Sequence, residues 1–165
     1  MADMKPLPRN DVEAVLALAR RCREAGEPDA AESMCLDALE IAPDNQDVLM
    51  LLLLARIDLL DRGFPRGVER AREVLPRLAG EYEKAFYAGL ICDRQARVVL
   101  SQRGNRSGHI SWEWFQFALD HYTEAARVDP QNLEPALRAN SCTRLIARNR
   151  HCVPGPSDRE EHGIE

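Results

Sequence analysis

One arrangement of alanine and proline occurs twice in this chain. Ala31-x3-Cys35-x2-Ala38-x4-Pro43 recurs as Ala118-x3-Tyr122-x2-Ala125-x4-Pro130, and each copy is followed by a polar pair ending in asparagine, Asp44-Asn45 and Gln131-Asn132. Small side chains three and four residues apart share one helix face and let a neighbouring helix approach closely. The proline lacks the N–H needed to extend the helix and so ends it. The pattern calls for an all-α fold in which helices stack on one another.

Punctuation divides the chain into about seven helices. The first is expected from Asp11 to Ala25, capped by Asn10 or Asp11, with Val12, Val15, Leu16, Ala19 and Cys22 on one stripe and Gly26 as its stop. Pro28 opens a second, which buries Ala31, Met34, Cys35, Ala38 and Ile41. The third, Asn45 to Asp61, is apolar nearly all round over Val48–Leu54, which means burial on more than one side or an apolar face left for a partner. A fourth, Arg66 to Ala79, keeps Ala71-x3-Leu75-x2-Leu78, but Glu83 stands in the place of the closing proline, and Pro76 should kink this helix or end it early. The fifth runs from Glu81 to Gln102 with Ala85, Ala88, Gly89 and Cys92 in close-packing slots. A polar, glycine-bearing loop leads to the sixth, Ser111 to Val128, with Ser111 as its cap. The seventh, Leu133 to Asn149, has no following partner. Residues 1–10 and the proline- and charge-rich 150–165 are expected to be flexible, leaving 11–149 as one helical domain.

The segments EAGEPDAAESMCLDALEIAPDNQDVL and ALDHYTEAARVDPQNLEPAL resemble tetratricopeptide repeats, helix-turn-helix units of about 34 residues. The resemblance covers about Asp11 to Arg148 and implies about three repeats, the middle one degenerate and the third carrying an insertion, followed by a C-terminal capping helix. Such an array is a right-handed α-solenoid of antiparallel helix pairs. Its first helices would line a concave groove through Leu16, Arg20, Met50, Leu54, Ile57, Phe86, Tyr87, Leu90, Arg94 and Leu137. That lining, apolar with a few arginines, suits an amphipathic helix or a hydrophobic tail. Family members that grip a chaperone's C-terminal carboxylate use lysine, asparagine and arginine on these helices. The matching places here carry Leu16 and Arg20, Met50 and Leu54, Phe86 and Leu90, so the clamp is absent and such a partner is disfavoured.

A net charge of −5 argues against general affinity for nucleic acid, which needs a basic face. The beginning, MADMKPLPRND, lacks the apolar stretch of a signal peptide, and the longest apolar run, Val48 to Ala55, is too short to span a bilayer, so no membrane insertion and a cytoplasmic location are expected. Five cysteines without a CxxC pair indicate neither a disulfide framework nor a zinc ribbon, and Cys22 and Cys35 occupy positions where cysteine packs as a small hydrophobe. The histidines at 109, 121, 151 and 162 form no HExxH arrangement, and no GxGxxG, P-loop or nucleophile elbow is present.

The groove is either open to a partner or filled by the sixth helix or the chain's own C-terminal tail. The aromatic run Trp112, Trp114, Phe115 and Phe117 projects from both faces of its helix, and either packs the inserted segment or anchors a partner. The expected function is a non-enzymatic adaptor or scaffold that binds a peptide or helical protein segment and needs no cofactor. An accessory or regulatory subunit, contacting its enzyme through Trp112–Phe117, is the alternative. A third reading is a metal or thiol site at Cys142, His151 and Cys152, whose ligand types suit zinc.

Overall fold

The computed structural model describes residues 5, 11–102, 104 and 106–155. Within them the chain is all-α, with seven α-helices packed as sequential pairs, as a tetratricopeptide-like helical repeat requires. The helices fall into two compact units, Met1–Ala79 and Gly80–Glu165.

In the first unit α1 is Val12–Glu24 and α2 is Pro28–Ile41. Gly26, at φ 81°, makes the turn between them, and Pro28 takes the first helical position, where its missing N–H costs nothing. Proline 43 closes α2, and Asn45 then caps α3, Gln46–Asp58, by accepting from the Val48 N–H at 3.1 Å. The same proline-asparagine spacing works again in the second unit, where Asn132 Oδ1 accepts from the Glu134 N–H at 3.0 Å at the start of the last helix. α3 packs against α1, α2 and α4, which explains why Val48, Leu49, Leu51, Leu52, Leu53, Ala55 and Ile57 are all buried. The expected end at Asp61 is corrected: the α-helix stops at Asp58 and a 3-10 turn, Leu59–Arg62, replaces its last residues.

α4 spans only Gly67–Arg72, and Pro76 sits in a separate 3-10 turn, Leu75–Arg77, so this helix ends early, as the proline demands. The segment after it is tied down by polar groups instead. Gln46 donates to the Arg77 carbonyl at 3.3 Å and accepts from the Ala79 N–H at 2.8 Å, while Arg77 donates to the Pro43 carbonyl at 2.8 Å.

The repeated alanines occupy the positions their spacing implies. Ala31, Ala38, Ala118 and Ala125 have no exposed surface. Ala38→Leu should therefore overpack the first unit and cost about 1 to 3 kcal/mol, seen as a lowered melting temperature of the helical signal. An unmoved melting temperature would mean that the helices there have slack.

The second unit is built on an antiparallel pair, α5 (Glu81–Ser101) and α6 (Ser107–Val128), with α7 (Glu134–Arg148) packed on α6. A Cβ on Gly89 would lie 2.8 Å from the Tyr122 ring, so the small residue in that slot of α5 is what admits the aromatic. α6 starts at Ser107, four residues before the expected cap. Ser111 is fully buried instead, and its hydroxyl donates to the Ala96 carbonyl of α5 at 2.8 Å. Residues 150–155 were expected within a flexible tail, yet Cys152 is 2% exposed and belongs to the core of this unit with Cys142, Phe115 and Tyr122. Residues 156–165, and 1–10 apart from Lys5, lie outside the described residues.

Candidate protein-binding surfaces

The ten residues expected to line a groove do not share one environment. Leu16, Ile57, Phe86 and Leu90 are buried, at 1%, 1%, 6% and 8% exposure, and are core side chains rather than open contacts. A helix that is apolar on several faces does not reveal which of them meets solvent, and α3 and α5 each pack on more than one neighbour or bury a wide stripe. Met50 and Leu54 on α3, and Tyr87 and Arg94 on α5, are half-buried, whereas Arg20 on α1 and Leu137 on α7 are exposed. In the first unit this leaves Arg20, Met50 and Leu54 with surface to offer.

The aromatic run at the start of α6 divides between inside and outside. Phe115 is fully buried, Trp112 and Trp114 are half-buried against the core, and Phe117 is 53% exposed. Trp114 and Phe117 meet edge to face with ring centroids 6.2 Å apart. Phe115 packs the inserted segment, and Phe117 presents an accessible aromatic edge.

A buried polar cluster, which the spacing of residues did not announce, joins the three helices of the second unit. Asp93 on α5, 2% exposed, accepts from Arg97 Nε at 2.6 Å and from the Tyr122 hydroxyl at 3.1 Å, and Arg97 also reaches Ser141 Oγ on α7 at 3.2 Å. Burial, then the charge of Asp93, pushes the Cys142 thiol up to about 12 and raises the Tyr122 phenol as well. In the first unit burial, then the charge of Glu32, pushes Cys35 up to about 11, and burial raises Cys152 in the second. These groups remain protonated at neutral pH, and such thiols are poor nucleophiles and poor metal ligands. The only sequence signal for the cluster was an aspartate inside the close-packing stripe of α5.

The metal or thiol reading gains no geometry. Cys142 and Cys152 share the core, His151 is exposed, and among the described residues no group of three or more histidine, cysteine, aspartate or glutamate side chains is placed to hold a metal ion. Histidine 162 lies outside the described residues.

α1, α2 and α3 stand as consecutive packed helices. Residues 12–57 match the tetratricopeptide repeat family model. The matched stretch takes in α1, α2 and nearly all of α3. No curated protein and no solved structure matches the chain. A tetratricopeptide repeat implies interaction with other proteins in general, and the repeat family is typically non-catalytic. Among the described residues no helix is long and apolar enough to cross a membrane.

Proposed function

We propose that this protein is a non-enzymatic, cytoplasmic adaptor or scaffold that holds a peptide or helical segment of another protein. The observation that carries the reading is the tetratricopeptide match over residues 12–57, because the repeats of that family present their first helices, here α1 and α3, as a binding surface. The array would comprise about three repeats, with the short α4 in a degenerate second one, the lengthened α5–α6 pair in the third, and α7 as the cap. Met50 and Leu54 would supply the apolar contacts, and exposed Arg20 would meet an acidic group at the edge. Desolvated apolar anchors usually carry most of the affinity, while rim charges chiefly steer association.

The test begins with capture of partners by the full chain and their identification by mass spectrometry. Leu54→Glu should then abolish binding of the captured partner, whereas Arg20→Ala should weaken it modestly and flatten its salt dependence. Undiminished binding by a Leu54→Glu protein of native helix content would refute the α3 surface. A second reading, an accessory or regulatory subunit of an enzyme complex, draws on the half-exposed Phe117 beside Trp114. Loss of binding on Phe117→Ala, together with survival on Leu54→Glu, would favour it.

A further inference from the structure

We propose that the outer face of α7 docks an acidic amphipathic helix of another protein, which takes the place of the helix that α7 lacks. This goes beyond the α3 surface and does not rest on it. In the described chain α1 is followed by a helix packed on it, α2, and so are α3 by α4 and α5 by α6. α7 is followed by residues 149–155, which form a turn and no helix. It packs on α6 and reaches α5 through the 3.2 Å hydrogen bond between Arg97 and Ser141. Of its residues only Pro135 and Cys142 are buried, with Ala139, Leu145 and Ile146 packed against the same core. One side of α7 is thus used, and the other is not.

The unused side does not have the polar outer face of a helix that merely closes an array. Leu133 and Leu137, at 69% and 64% exposure, are the two most exposed large apolar side chains among the described residues. Leu133, in helical conformation at the N-cap, is followed by Leu137, Arg144 and Arg148 at intervals that keep all four within about 60° of one another at 3.6 residues per turn. Buried Cys142 lies about two and a half turns from Leu133, on the opposite side. The outer face is therefore apolar at its N-terminal end and basic at the other. Arg138 is engaged by Glu134 at 3.1 Å, whereas Arg144 and Arg148 make no ion pair among the described residues. Arg148 stands in the last turn, where the helix dipole favours a cation, but Arg144 comes a turn earlier and has no such reason. α7 carries three arginines and one glutamate in a chain of net charge −5, so its complement is an acidic segment. Packed antiparallel, as α6 is on α5, the partner helix would set acidic groups of its first turns against Arg144 and Arg148, where they also suit its positive end. Its later turns would set apolar side chains against Leu133 and Leu137.

The probe is a fluorescently labelled helical peptide of about 18 residues, with glutamates on one face of its first half and leucines on the same face of its second, titrated against the full chain. Binding should saturate and weaken with salt, and Leu137→Glu should lower the affinity by about tenfold or more, because a charge then meets the apolar anchors. Arg144→Ala should lower it several-fold and flatten the salt dependence, and a copy of the peptide with glutamine for glutamate should bind the parent more weakly. Arg20→Ala, in the first unit, should bind the probe as the parent does, so failure of the α3 surface would leave this result unchanged. Absence of saturable binding, affinity unchanged in Leu137→Glu, or equal affinity for the two peptides would overturn the proposal. Leu137 is exposed, so Leu137→Glu should keep the parent's melting temperature; a lowered one would mean that the chain's own residues cover this face, and would overturn it too. Self-association of the full chain in sedimentation, abolished by Leu137→Glu, would put a second copy there in place of the acidic partner.

Discussion

Asp93→Ala should lower the stability of the second unit by about 3 kcal/mol, because removing one partner of a buried ion pair strands the groups that faced it. Arg97 loses the carboxylate 2.6 Å from its Nε, and the Tyr122 hydroxyl, in a residue 1% exposed, loses its acceptor. The Arg97 side chain keeps 38% of its surface and can turn to water, which holds the cost at the lower end of the range for such losses. The phenol has no such escape, and a stranded buried hydroxyl is costly by itself. Tyr122→Phe removes donor without stranding a charge and should cost only about 1 kcal/mol. The measurement is direct, since both tryptophans, Trp112 and Trp114, lie in this unit and their fluorescence reports its denaturant transition. A loss below about 1 kcal/mol for Asp93→Ala would show that the cluster is peripheral to stability, given that figure as the net worth of one ordinary hydrogen bond.

Glu32→Ala should be the corresponding weak point of the first unit, at about 2 to 3 kcal/mol. Glu32 on α2 receives Arg56 of α3 at 2.8 Å and Arg70 of α4 at 2.5 Å, and Arg56 also donates to the Arg70 carbonyl at 2.6 Å. The side chains of Glu32 and Arg56 are only 11% and 12% exposed, so the arginine left behind cannot rehydrate freely. Its remaining carboxylate neighbour is Glu73 at 3.6 Å, itself 59% exposed and a poor substitute. α4 is six residues long, too short to hold its shape without tertiary contacts, so it should respond first. Hydrogen exchange resolves this: protection should fall most over α4 and the following turn in Glu32→Ala. Protection of α4 equal to that of the parent would mean that Ala71 and its apolar neighbours suffice to hold it.

The sequence by itself determined the helices and where most of them stop. Gly26, Pro28, Pro43, Asn45, Pro76 and Asn132 act within four residues of the backbone groups they satisfy or block, so their effect is local and can be read in order along the chain. The alanines at 31, 38, 118 and 125 likewise announced close packing, because a small side chain makes sense on a helix face only if something lies against it. Pairings between distant residues were decided by the tertiary structure. Glu32 lies 24 residues from Arg56, and Asp93 lies 29 from Tyr122, separations that no periodicity encodes. The candidate groove divides along the same line. Leu16, Ile57, Phe86 and Leu90 looked as available as Met50 and Leu54, since an apolar side chain on a helix is suited equally to a core and to an interface, and only the neighbouring helices decide which it becomes. The return of residues 149–153 across the first turn of α6 was equally hidden, because it depends on Gly108, a glycine more than forty positions earlier.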